Sequence, residues 1–398
     1  VIGAFILLII LYALTQPLLK VFKSKYRWFD MDLMQKLFWY HVFFALVYYV
    51  TVMNSRSDSV SYFERPQYAY SSWWEAFQTG TLFIEFVGYP FINFFHFSYE
   101  MMMLLFSWMG FWGFVYFYIF FKENVKYKHY YEGYDLIMLF MFLPNMHYWT
   151  ASLGKGSIIF FGMGMATYGL SKLKGRKLAL IAGLAIVYYV RPHIFLFMGI
   201  AILVGLFTGK QDVPKYQKWL VLIGAAVALT LMYNTIISFV GLDSDNLVGS
   251  FDQFSSTRAY ELSSANSGID ISNYPLIFKL FTFWYRPLFI DSPGFTGIVV
   301  SIENVFYLLL SYKLWEKGFL KFFKVSSSLV KMSAVLFIGT SLALGETLSN
   351  MGIIVRQKSM VMYYLLFIII TYLDYKKGLV ASKKKNAADL QLAASPQN

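Results

Sequence analysis

Apolar stretches recur along almost the whole chain, separated by short polar breaks at irregular spacing. A bilayer core about 30 Å thick takes roughly 20 apolar residues per helical pass. On that measure residues 2–18, 37–53, 98–121, 134–148, 156–171, 178–190, 192–208, 217–240, 294–313, 329–345 and 359–375 predict membrane-crossing helices, eleven in all. The breaks do not suit a transmembrane β-barrel, whose strands alternate over segments of about 10 residues. Residues 81–97 are apolar but interrupted by Glu85, Gly88 and Pro90, and predict an interfacial or re-entrant helix. The expected fold class is therefore an all-α integral membrane protein, a single polytopic domain over 1–375. Residues 1–14 read as the start of a span, not as a cleaved signal.

Composition sharpens this picture. Of 398 residues, 58% are hydrophobic and 14% charged, where an ordinary soluble domain carries roughly 25% charged residues. A soluble fold of this length could not hide so much apolar surface. Lys and Arg outnumber Asp and Glu by 34 to 22. In a soluble protein such an excess would raise nucleic acid as a partner, but here it gathers in short loops. The bias of basic residues toward cytoplasmic loops explains it more simply, and nucleic acid is not an expected partner. With no cysteine, thiol chemistry and cysteine metal sites are excluded.

The same bias orients the chain. Lys20, Lys23, Lys25 and Arg27, then Lys172, Lys174, Arg176 and Lys177, then Lys210, Lys215 and Lys218, then Lys313, Lys317, Lys321 and Lys324 mark cytoplasmic loops. The connections 54–80, 145–155, 241–276 and 346–358 are neutral or acidic and belong outside. Alternation then holds along the whole chain, with the N-terminus out and the C-terminus in. The Lys-rich segment 376–398 reads as a disordered cytoplasmic tail whose lysines meet anionic lipid. Because 172–177 and 209–218 are both basic, 178–208 must cross twice, as short helices meeting at Arg191-Pro192-His193. That places Arg191 and His193 in an outward recess, and interrupted apolar segments point to binding sites. Gly162, Gly164, Ala166 and Gly169 form a small-residue stripe suited to close helix packing.

Polar groups at membrane depth are costly, so their placement is informative. In the first outer loop, Asp58 follows a span by a few residues and is a candidate general base, against the simpler reading of a solvated loop acid. The segment Leu143 to Gly156 holds His147, an aromatic pair Tyr148-Trp149 suited to the interfacial belt, and Lys155. Lys155 opens an apolar helix, where a cation opposes the helix dipole, and an anionic ligand would account for it. Arg286 and Asp291 precede Glu303-Asn304 within the next apolar run, where an Arg–Glu lock is one reading. Glu346, Arg356 and Lys358 come just before the last span. Outward basic positions at 155, 191, 286 and 356 suit a phosphate-bearing ligand, since arginine grips phosphate oxygens in pairs. The five histidines are too scattered for a metal site.

At these clusters the chain resembles bacterial polytopic glycan-assembly proteins: the O-antigen and exopolysaccharide polymerases, and the wider GT-C group of lipid-sugar-dependent glycosyltransferases. The segments that carry the likeness are Ser57-Asp58-Ser59-Val60-Ser61-Tyr62, Leu143-Pro144 through Gly154-Lys155, Tyr285-Arg286-Pro287 with Glu303-Asn304, and Asn350 through Arg356-Gln357, each short. The resemblance implies a catalytic acid in the first outer loop, which maps onto Asp58, and arginines holding a polyprenyl pyrophosphate, which map onto Arg191, Arg286 and Arg356. The paired acidic motif and large soluble C-terminal domain of many GT-C enzymes are missing, which favours a polymerase-like member.

The expected function is glycosyl transfer from a polyprenyl-pyrophosphate-linked glycan on the outer face of a bacterial inner membrane. Asp58, with His147 or His193, would take the acceptor proton. Lys155, Arg191, Arg286, Arg356 and Lys358 would hold the pyrophosphate, with Glu303, Asn304 and Glu346 supporting them. No metal or other cofactor is expected. The expected partners are the lipid-linked glycan, membrane lipid and envelope-assembly proteins. The competing readings are a flippase for lipid-linked sugars and a non-catalytic subunit of an envelope complex. A large outer cavity lined by Arg191, Arg286 and Arg356 would favour the enzyme, and a filled outer face the subunit.

Overall fold

The computed structural model describes residues 2–55, 57–210, 274–291 and 294–394, with scattered positions between 216 and 271. In chain order the described helices are α1 (Ile2–Lys25), α2 (Met31–Met53), α3 (Asp58–Glu64), α4 (Thr81–Asn93), α5 (Tyr99–Asn124), α6 (Leu136–Met141), α7 (Pro144–Thr150), α8 (Lys155–Ser171), α9 (Lys177–Val190), α10 (Pro192–Thr208), α11 (Leu276–Tyr285), α12 (Gly294–Tyr312), α13 (Phe319–Val325), α14 (Ser328–Thr347) and α15 (Met351–Ala394). A hairpin of β1 (Tyr130–Tyr131) and β2 (Tyr134–Asp135) precedes α6. Six of these helices, α1, α2, α5, α12, α14 and α15, are long and apolar enough to cross a membrane. The protein is a helical membrane protein. The predicted span 217–240 lies largely, and the loop 241–276 mostly, outside the described residues.

Local chemistry starts and stops these helices where the polar breaks fall. The side chains of Asp30, Ser98 and Ser327 cap α2, α5 and α14 by accepting first-turn amides. Arg191 is extended, as a residue before proline prefers to be, so 178–208 becomes two short helices meeting at Arg191-Pro192.

Several predicted elements need correction. The single pass expected over 134–148 is instead the end of the hairpin, α6 and α7, because Leu143 before Pro144 leaves the helical region. The segment 81–97 is less broken than expected: α4 runs unbroken through Glu85, Gly88 and Pro90 to Asn93. Pro90 cannot bond the Phe86 carbonyl one turn back, and the Trp73 indole donates to that carbonyl instead, at 2.8 Å. The tail is corrected too. Over 376–394 the chain is helical, a continuation of α15, in place of the expected disorder. The helix of 44 residues is about 66 Å long, twice what a bilayer core takes.

Helices α5 and α15 form the centre, joined by an aromatic interface in which Phe120 packs on Phe367 and Phe117 on Tyr363. The small-residue stripe of α8 is wedged between two neighbours. A methyl on Gly164 would stand 2.8 Å from the Gly113 carbonyl of α5, and one on Gly169 would stand 2.6 Å from the Leu180 amide of α9. From α9, a methyl on Gly183 would reach within 2.4 Å of the Ala166 amide. Backbone meets backbone along this seam.

Contacts sort the loops onto two ends of the bundle. At one end Arg176 reaches Tyr26 and Glu123, the Lys210 amide donates to Ser326, and Tyr372 donates to Glu316. At the other, Arg356 meets Asp58, the Gly80 amide donates to Tyr189, and Lys279 meets Glu346. The first end carries the lysine-rich loops.

Candidate functional site

The second end holds a cluster built from four separate parts of the chain. Asp58 opens α3, whose N-terminus is set by Ser57: its hydroxyl accepts the Ser59 amide and bonds Tyr48 of α2. The Ser59 hydroxyl in turn bonds Tyr99 at the start of α5. Arg356, in the second turn of α15, donates through Nη1 to Asp58 Oδ2 at 3.1 Å and lies over the Trp149 ring at 5.7 Å. Arg191, at the α9–α10 joint, donates through Nη1 to Gln357 at 3.1 Å, while its Nε is buried without a hydrogen-bond partner. Lys155 opens α8, as the sequence predicts.

These cations act on one another. Lys155 feels the charges of both Arg191 and Arg356, and His193 those of Arg191 and Lys155. Asp58 is in ion-pair contact with one of the three, Arg356, and within electrostatic reach of Lys155. Glu85 is within electrostatic reach of Lys155 but is fully buried in α4 and already held elsewhere. Tyr70 donates to one of its oxygens and Arg65 Nε stands 3.6 Å from the other. Burial pushes the Tyr62 phenol up; Asp58 adds to the push while Arg356 and Arg191 oppose it. The Tyr70 phenol is pushed up to about 12, by burial first and then by its bond to Glu85. The arrangement concentrates positive charge behind one exposed acid. Such a surface attracts anions.

Arg286 does not join this cluster. It pairs with Asp291, whose other oxygen accepts the Leu288 amide. The expected Arg286–Glu303 lock is absent because Glu303 is engaged elsewhere: it accepts the Asn145 amide at 2.8 Å and the Tyr307 hydroxyl at 2.6 Å. The first-turn amide of α7 has no intrahelical partner, and a carboxylate from α12 supplies it. Lys358 is buried, donating to Asn304 Oδ1 and to the Arg286 carbonyl, and the Asn304 amide donates to Pro287. These residues tie α7, α12, α15 and the 286–291 turn together. Arg356 and Lys358 belong to different clusters because residues two apart do not share a helix face.

His147 and Glu346 lie elsewhere again. Glu346 bonds Lys279 of α11 at 2.6 Å. His147 is fully buried in mid-bundle, stacked on Phe114, with Nδ1 2.8 Å from His41 Nδ1 and Nε2 2.7 Å from the Met141 carbonyl. A carbonyl only accepts, so Nε2 carries the proton and Nδ1 accepts from His41. His147 thus binds two helices together in the interior rather than standing beside Asp58.

Arg191 and Arg356 lie near one another, but the outer cavity expected to be lined by Arg191, Arg286 and Arg356 is not found among the described residues. A cleft of ≈ 630 Å³ does open at this end, lined by Val52 to Ser55, Ser57, Asp58, Val60 and Ser61. It includes Asp58 and none of the three arginines. Sequence reasoning missed Glu85 with Tyr70 and Arg65, and it missed His41. An acid in an apolar helix and a histidine in mid-span were the available signals. Among the described residues no group of His, Asp and Glu is placed to hold a metal ion. No protein-family model, curated protein or solved structure matches this chain.

Proposed function

From the chemistry of this cluster we propose that the protein is a membrane-embedded glycosyltransferase of the polysaccharide-polymerase kind, acting on a polyprenyl-pyrophosphate-linked glycan. The observation that carries the reading is the grouping of Lys155, Arg191 and Arg356, with Asp58 paired to Arg356 and lining a cleft beside it; among the described residues it is the acid in ion-pair contact with one of the three. Among the described residues the three cations have one ion-pair partner, and cations at membrane depth call for an anion. The proposed setting is a bacterial inner membrane with the cluster on its outer face, eleven spans, the N-terminus out and the lysine-rich end in the cytoplasm.

In the reaction the bond between the anomeric carbon and the diphosphate breaks, and the acceptor hydroxyl oxygen bonds that carbon. Asp58 takes the hydroxyl proton, and the lipid diphosphate leaves with its charge held by the trio, where charge develops in the transition state. His193 lies near the same cations, and its proposed role is in the polar surround of the leaving group.

The test is Asp58→Asn at matched protein level, reading glycan chain length or lipid-linked product in cells. A general base contributes about 10²- to 10⁴-fold, so product should fall to that extent while insertion survives. Near-normal product would return Asp58 to a solvated loop acid and remove the reading's catalytic half.

A further inference from the structure

The Asp58–Arg356 pair stands between two unlike surroundings. On one side is the open cleft, which offers Asn54, Ser55, Ser57 and Ser61 as polar lining. On the other are Lys155 and Arg191. The Asp58 side chain is 66% exposed and that of Arg356 25%, so the acid faces the open side and the guanidinium the closed side. Among the described residues, an anion arriving through the cleft meets Asp58 before Arg356, Lys155 or Arg191.

The pair is also a poor use of both partners. Arg356 gives Asp58 one hydrogen bond, through Nη1, although a guanidinium can present a two-pronged fork to an oxyanion. Trp149 holds the guanidinium plane in place. Arg191 Nε is buried and has spent nothing.

We propose that Asp58 is a placeholder for the anion: it neutralises Arg356 while the site is empty, and a diphosphate displaces it. Binding of the leaving group then frees the second oxygen of Asp58 as well, and lets the carboxylate turn fully toward the cleft. This inference rests on the glycosyl-transfer reading. The exchange favours the ligand because a half-exposed ion pair is weak, whereas a diphosphate can meet both prongs of the Arg356 fork and carries more charge toward Lys155 and Arg191, which lie within electrostatic reach of it. No covalent step is involved; a carboxylate swings into the cleft and a diphosphate takes its place.

The experiment uses the full chain in nanodiscs of zwitterionic lipid, titrated with inorganic pyrophosphate by calorimetry at fixed ionic strength without divalent cations. The placeholder has a distinctive sign. Asp58→Asn, which is expected to lose turnover, should bind pyrophosphate about 3- to 10-fold more tightly than the wild type, since it removes a competing charge from a partly screened site. Asp58→Glu keeps the competitor and should bind as the wild type does, and Arg356→Gln should bind more weakly than either. Wild-type binding that Asp58→Asn leaves equal or weakens overturns the placeholder and leaves the transferase reading standing. Absence of binding in wild type and Asp58→Asn alike overturns both.

Discussion

Removing Glu123 should destabilise the protein more than removing Arg176, although the two are each other's partner. Arg176 is almost wholly buried at the lysine-rich end, its ring of acceptors being Glu123, the Tyr168 carbonyl, Ser171 Oγ and the Tyr26 hydroxyl, with Tyr168 stacked against it at 3.8 Å. Glu123 has a second cation, Lys172 at 3.0 Å, and also accepts from Ser171. Glu123→Met therefore strands a buried guanidinium with neutral acceptors alone. Breaking a buried pair in that way costs about 3–5 kcal/mol, and the remaining acceptors put this case near about 3. Arg176→Met leaves the carboxylate paired with Lys172 and removes hydrogen bonds worth about 1–2 kcal/mol. The double variant replaces the pair with apolar side chains, and should fall within about 1 kcal/mol of Arg176→Met alone. Tryptophan fluorescence during thermal unfolding in one detergent, run for all four proteins as a double-mutant cycle, measures the order. If Arg176→Met is the more damaging single variant, Lys172 does not serve as the second partner and the argument fails.

Other outcomes follow from the same structure. Gly183→Ala sets a methyl 2.4 Å from the Ala166 amide and should cost about 1–3 kcal/mol by overpacking. Gly199→Ala, with nothing within 4 Å of the added methyl, should unfold at or above the wild-type temperature; equal melting of the two would refute the close seam. In this cysteine-free chain, single cysteines placed at 174 and 252 should label from opposite sides of the membrane. Labelling from one side would overturn the proposed orientation.

Apolar length and loop charge made the helical class legible, because bilayer thickness and loop basicity act on stretches rather than on single residues. The α9–α10 joint was legible for a sharper reason: the basic loops at 172–177 and 209–218 force an even number of crossings, and Arg191-Pro192 supplies the break. The split at Pro144 was not, since a proline within an apolar run is tolerated or not according to who takes the freed backbone groups. At Pro90 Trp73 donates to the freed carbonyl from the preceding loop, and at Pro144 Tyr363 donates to the freed Phe140 carbonyl while Glu303 accepts the Asn145 amide from another helix. The site shows the same limit. The placement of Lys155 at a helix start was readable from its conflict with the dipole. That Arg356 would face Asp58 while Lys358 would turn away to Asn304 depended on helix phase and on partners scattered through the chain. Arg286 found an acid five residues on, and local pairing of that kind silences a cation that a list of outward charges counts as available.

The close seam between α8 and α9 has a consequence for charge. Lys155 is the first residue of α8 and Arg191 directly follows the last of α9. Glycines at 162, 169 and 183 clamp those helices backbone to backbone further along their length. Two mutually repelling cations are thus mounted on one stiff fork whose tines are closed by packing well away from the tips. Arg191 also donates to Gln357 of α15, the residue next to Arg356, so the third cation is tied to the same fork. The fork sets a gauge: it holds two positive charges at a spacing that helix packing, and not the loops at its tips, decides.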